Sequence, residues 1–176
     1  MDEILIVDDD ARWPTLFAQE AEQIRCVLGN EQVVAIEHFG STAVRGLAAK
    51  PIIDMLISVH SLPKARLAIP ILALIGYAFW YENPDTDRLF FVKGLPPNGP
   101  RSHHLHIVEG DSPLWERLLF RDYLRANPDE AQRYALLKRD LAARFANDRE
   151  GYTEAKTGYI QQVIEKARCD KHGKAS

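Results

Sequence analysis

The sequence predicts an α+β domain, and three observations carry that prediction. Segments with strand-like alternation or short apolar runs crowd the first two-thirds of the chain. From Ser112 onward the apolar residues instead recur at helical three-four spacing. Strands followed by a run of helices, with no internal repeat, is the pattern of an α+β fold rather than of alternating βαβ units.

The first element is an amphipathic helix, with Trp13, Leu16, Phe17, Glu20, Ile24, Val27 and Leu28 mostly on one stripe. Pro14 suits its first turn and Gly29-Asn30 ends it. Residues 33–39 read as a strand, and Pro51 to Val59 as a second, more buried one. Ser61 and Pro63 open a helix toward Ile75, which Pro70 must kink or interrupt. Tyr77 to Glu82 and Leu89 to Lys93 are predicted strands joined by Asn83-Pro-Asp-Thr-Asp87. Residues 95–101 are a loop, and His103 to Glu109 alternates as another strand. Ser112-Pro113 caps a helix running to about Ala126. Asn127-Pro128 with Glu130 opens the next, whose apolar face includes Ala131, Tyr134, Leu137, Leu141 and Phe145. A last helix gathers Ala155, Tyr159, Ile160, Val163, Ile164 and Ala167. The expected organisation is a single domain over residues 1–169, its helical part spanning about 112–168, with a flexible tail at 170–176.

A chain of 176 residues can bury a core without disulfides or a structural metal. Its net charge of -3 argues against a dedicated nucleic-acid binder. Cys26 and Cys169 show neither metal-type spacing nor a disulfide framework, which predicts a reducing, cytoplasmic location. No segment approaches membrane-spanning length. A local basic pocket is compatible with that net charge.

One stretch concentrates the chemistry. Gly40-Ser41-Thr42 follows the first strand, and Asp54 sits amid Ile52, Ile53, Met55, Leu56 and Ile57 in the next. A buried carboxylate needs a cation or a basic partner, because leaving it unpaired costs several kcal/mol. Strand alternation puts Ile52, Asp54, Leu56 and Ser58 on one face, against an apolar face of Ile53, Met55, Ile57 and Val59 that should meet helices. The alternative is an aspartate held by an Arg or Lys for structural reasons alone. His104 and His106 project together from one face of a later strand, where two imidazoles can share a metal or bracket a phosphate. His103 faces away from them. A pair of half-exposed strand histidines with water or backbone partners is the bland reading. Lys50, Arg88, Lys93 and Arg101 stand at strand ends or in loops, where cations converge on a cleft beside a sheet and can hold phosphates. The Gly-Lys-Ser/Thr ending of a P-loop is absent, which argues against a kinase of that class.

His38-Phe-Gly-Ser-Thr-Ala-Val-Arg-Gly-Leu-Ala-Ala-Lys-Pro-Ile-Ile-Asp54 resembles the signature of the GrpB family, a branch of the nucleotidyltransferase superfamily. Trp13-Pro14 with Phe17 and Glu20, Arg88 with Phe90, Lys93 and Gly94, His104-Leu-His106, Phe120-Arg-Asp-Tyr-Leu124, and Tyr152 with Lys156 extend the likeness over nearly the whole chain. The resemblance implies a mixed-sheet, polymerase-beta-like nucleotidyltransferase core with helices on one face and a helical C-terminal segment. It further implies a nucleoside triphosphate held at Gly40 and Ser41, beside which Thr42 is a further candidate phosphate contact, and a divalent metal at Asp54. Magnesium or manganese is expected, with zinc as a third candidate. The reaction implied is in-line transfer at an α-phosphate. The chain departs from the superfamily pattern in two places. Leu56 occupies the second acid's position, and a histidine of His104-Leu-His106, His106 above all, replaces the third acid. Asp54 and His106 are then the catalytic candidates, and Asp54, His104 and His106 the metal ligands. The departures suit manganese or zinc better than magnesium, which prefers oxygen ligands. They also leave open a non-catalytic module that senses a nucleotide or coenzyme A precursor, or assists a partner protein.

Overall fold

The computed structural model describes residues 4–95 and 99–173. Residues 96–98 of the expected 95–101 loop, and the last three of the expected tail, lie outside them. The chain divides into a sheet unit, residues 10–39 and 52–114, and a helical unit comprising described residues 4–9, 40–51 and 115–173.

In the sheet unit, α1 (Trp13–Leu28) buries Trp13, Glu20, Ile24 and Leu28. Gly29, at φ 85°, ends it by donating its N–H to the Arg25 carbonyl at 3.0 Å. Five strands follow: β1 (Val33–Phe39), β2 (Ile53–Val59), β3 (Tyr77–Phe79), β4 (Leu89–Lys93) and β5 (His103–Glu109), in the spatial order β1-β2-β5-β4-β3. The sheet is mixed, because β2 and β5 run parallel while every other pair is antiparallel. The helix expected from Ser61 to Ile75 is two helices, α2 (Leu62–Arg66) and α3 (Ile69–Leu74). Pro70 falls in the first turn of α3, where its missing N–H costs nothing, so the break precedes it. β3 ends at Phe79, short of the expected Glu82.

Register fixes which side chains share a face, since directly paired residues point the same way. One face carries Met55 with His38 and Leu105, Ile57 with Ile36 and Ile107, and Phe91 with Phe79. Phe17 of α1 stacks on His38 at 4.7 Å, Arg66 of α2 lies 5.4 Å from the Phe79 ring, and the Leu62 N–H bonds the Glu109 carboxylate at 2.9 Å. The helices therefore cover the face that Ile53, Met55, Ile57 and Val59 make apolar. The opposite face carries Asp54, Leu56 and Ser58, with His104, His106, Phe39 and Phe90 beside them.

In the helical unit, Val7 pairs with Ala49 through two 2.9 Å backbone bonds. The expected helix from Pro113 begins as a 3-10 turn to Glu116, and α4 spans Arg117–Ala126. α5 is Pro128–Arg144, α6 Arg149–Ala155 and α7 Thr157–Gly173. Val44, Leu47 and Ala48 pack with Phe120, Leu124, Tyr134, Val163 and Ile164 into one core. Asn127 does not cap α5 with its side chain; its amide donates to the Tyr123 carbonyl at 2.9 Å. Glu130 instead accepts from the Tyr159 hydroxyl at 2.5 Å and the Lys166 ammonium at 2.9 Å, which together hold its carboxyl below the usual range. Ala155 ends α6 and so does not share a helix with Tyr159. α7 continues past Cys169, where the sequence places the start of the tail.

Candidate metal centre

Asp54 and His104 are register partners on β2 and β5, and His106 stands two residues further along β5. Parallel pairing thus brings together groups fifty positions apart in sequence. One ligand atom from each lies within 4.8 Å of the others, and all three side chains are half-buried. His104 Nδ1 sits 3.0 Å from Asp54 Oδ1, while its buried Nε2 has no hydrogen-bond partner among the described residues. Metal–ligand bonds of about 2.0–2.2 Å place opposing ligands roughly 4 Å apart, so small side-chain movements would close this set around an ion. Two imidazole nitrogens and one carboxylate oxygen fit manganese or zinc better than an all-oxygen magnesium shell.

Aromatic rings frame the group. Phe39 meets His106 edge-on at 5.3 Å, and Phe90 lies 4.6 Å from His106 and 5.4 Å from His104. These rings restrict the imidazoles' rotation. Strand alternation could have found both, since Phe39 and Phe90 fall on the same parity as Asp54 and His106 once register is known. Leu56, the register partner of His106, is wholly buried.

The predicted cations divide. Lys93 pairs with His103 and Tyr77 on the helix-bearing face, and its ammonium binds both oxygens of buried Glu20 at 2.8 and 3.0 Å. It is therefore directed away from the cluster. Glu20 was legible only as part of a helix stripe; an acid in an apolar stripe was the signal of a buried partner. His103 also faces Glu20, at 3.8 Å, as expected of a residue pointing away from His104. Burial pulls the His103 imidazole below its ordinary value, outweighing the Glu20 carboxylate that pulls it up. Arg88 forms an ion pair with Asp85. The Arg101 guanidinium lies 5.4 Å from the Trp80 ring centroid.

Gly40, Ser41, Thr42 and Lys50 belong to the helical unit. Gly40 adopts φ 71°, ψ -171°, a conformation nearly restricted to glycine, and Ser41–Ala43 form one 3-10 turn. Arg125 braces the turn by donating to the Ala43 carbonyl at 2.8 and 3.0 Å. Lys50 stands 4.6 Å from the Tyr152 ring centroid and Lys156 3.8 Å from it. Cys26 and Cys169 are free and exposed. Among the described residues no helix is long and apolar enough to cross a membrane.

A chain with this mixed sheet and this Gly-Ser-Thr turn matches the family model described as GrpB protein over residues 3–166. It belongs to the GrpB family. A UPF0157 protein of Pseudomonas aeruginosa is 47% identical over 94% of this chain and 68% of its own length. The UPF0157 protein YqkA of Bacillus subtilis is 39% identical over 98% of this chain, which spans only 49% of that protein. The crystal structure of conserved protein GrpB from Enterococcus faecalis superposes with a TM-score of 0.83 at 34% identity, covering 93% of this chain and 96% of that one. A dephospho-CoA kinase of Mycolicibacterium paratuberculosis is similar at 25% identity, over 93% of this chain and 46% of the kinase.

Proposed function

We propose that this GrpB-family protein binds a nucleotide or related phosphorylated small molecule together with a divalent cation at Asp54, His104 and His106. The observation that carries the reading is the convergence of one carboxylate and two imidazoles on the sheet face opposite the one that α1 and α2 cover, with one ligand atom from each within 4.8 Å of the others. Likeness to the nucleotidyltransferase signature, with Gly40-Ser41 ahead of Asp54, supports a phosphate ligand. A bound divalent ion would supply positive charge against phosphate oxygens. Asp54 would hold it, His106 and His104 would complete its protein ligands, and Phe39 and Phe90 would fix the imidazole planes. The phosphate-contacting role of Gly40, Ser41, Thr42 and Lys50 rests on the resemblance.

A second reading is a non-catalytic module that senses a nucleotide or coenzyme A precursor. Fully buried Leu56 favours it, because a hydrocarbon side chain stands where nucleotidyl transfer would use a second acid. The similarity to part of a dephospho-CoA kinase points the same way. Thermal melts with nucleoside triphosphates and coenzyme A precursors, with and without manganese, test both readings. Metal-dependent stabilisation that disappears in Asp54→Ala and His106→Ala supports the site. Pyrophosphate release then separates transfer from sensing. A broad panel giving no stabilisation refutes the ligand class.

A further inference from the structure

The face that presents the three polar groups also carries an aromatic row whose outer ring, Trp80, the metal reading leaves unused. The Trp80 N–H donates to the Phe90 carbonyl at 2.9 Å, which sets Trp80 opposite Phe90 just beyond the end of β3. Phe90 is in turn the register partner of His106. Trp80, Phe90 and His106 therefore run side by side across three strands, with ring centroids 6.5 and 4.6 Å apart. In β4 the flanking Leu89 and Phe91 are fully buried toward the helices, whereas Phe90 is half-exposed and Trp80 retains 37% of its surface. Large rings held at the surface of a strand pair leave apolar area in water, an unfavourable arrangement that a stacked ligand would relieve. Arg101 adds a guanidinium beside the outer ring, 5.4 Å from the Trp80 centroid.

We propose that Trp80 and Phe90 form a stacking shelf for a nucleobase, with Arg101 at its edge and the phosphates directed toward Asp54, His104 and His106. This rests on the phosphate–metal reading of the cluster and narrows its ligand class to a nucleoside phosphate. A planar heterocycle matches the shelf, because every base offers a π-face to an aromatic side chain whatever its hydrogen-bonding edge. The sugar would span the distance from the Trp80–Phe90 end of the row to the His106 end. Base selectivity is accordingly weak, since the row offers ring faces rather than donors and acceptors.

Calorimetric titrations with manganese present test this directly, using tripolyphosphate as the ring-free probe and ATP, GTP, CTP and UTP as the ring-bearing ones. The wild-type chain should bind the nucleotides at least about fivefold more tightly than tripolyphosphate, the range that base–aromatic stacking supplies. Trp80→Ala should erase that margin and leave tripolyphosphate binding within twofold of wild type. Trp80→Phe, which keeps a ring and guards against a folding defect, should retain part of the margin. Asp54→Ala should weaken both kinds of probe. Equal wild-type affinity for tripolyphosphate and nucleotides overturns the shelf while the phosphate–metal reading stands. Equal loss of both probes in Trp80→Ala shows a merely structural ring and also overturns it. Failure of every probe to bind wild type refutes the shelf and the underlying reading together.

Discussion

Lys138 is the most heavily buried cation among the described residues, at 2% exposure, and its burial should be readable in the pH dependence of stability. Its ammonium donates to the Ala48 carbonyl and sits 4.8 Å from the Tyr134 ring centroid. Burial, with lesser repulsion from Arg139 and Lys50, lowers its pKa from 10.5 to about 7. Between those two values the unfolded chain takes up a proton that the folded chain refuses. Stability must then rise with pH across the window from about 7 to 10.5, by up to about 1.4 kcal/mol per unit in its middle. From pH 7.5 to 9 the gain is about 2 kcal/mol, or roughly 4–8 °C in melting temperature for a chain of this size. Lys138→Met keeps the length and removes the titration. It also leaves the Ala48 carbonyl without this donor, a pH-independent cost of about 1–3 kcal/mol. Its absolute stability is therefore less informative than its slope. Urea unfolding of both proteins at pH 7.5, 8.25 and 9 should show wild type gaining about 2 kcal/mol more than Lys138→Met. Parallel stability profiles would refute the burial argument.

Three further perturbations follow from the same geometry. Glu20→Gln removes the carboxylate that holds Lys93 on the helix-covered face; with Glu20 at 6% exposure, about 2–3 kcal/mol should be lost in urea unfolding, and a loss under 0.5 kcal/mol would show the pair to be idle. Gly40→Ala places a Cβ on a backbone at φ 71°, ψ -171°, and should cost about 1–3 kcal/mol by thermal or chemical denaturation; an unchanged melt would mean that the turn relaxes freely. Glu130 has a lowered carboxyl pKa, so its pairing contributes stability above the unfolded value of 4.5 and loses it as pH falls through the folded value. Between pH 5 and 3 wild type should therefore lose more stability than Glu130→Gln, and identical acid limbs would contradict the Tyr159–Lys166 contacts as its cause.

Much of the sheet was legible because its alternation is strict. Met55 and Ile57 against Asp54 and Ser58 fixed two faces of β2, and His104 with His106 fixed one face of β5. Joining those faces required knowing that β5 pairs in parallel with β2 although β3 and β4 intervene in the chain, a non-local choice that alternation does not encode. Lys93 shows the opposite case. Its parity with Leu89 and Phe91 already assigned it to the apolar face, but its place at a strand end suggested a cleft. Lys50 is a different case: Gly40–Pro51 joins β1 to β2 in sequence yet packs within the helical unit, which no local pattern announces. The division of the last helix at Lys156 was equally silent, since the apolar residues on either side keep nearly continuous spacing.

The central claim is that Asp54, His104 and His106 together grip a divalent ion. Titration of the metal-free chain with manganese, followed by the loss of its free-ion paramagnetic resonance signal, measures this without any assumption about nucleotide or activity. One site per chain is predicted, weakened at least about tenfold by each of Asp54→Ala, His104→Ala and His106→Ala. Manganese binding that all three variants leave unchanged, or no binding by the wild-type chain, would contradict the account.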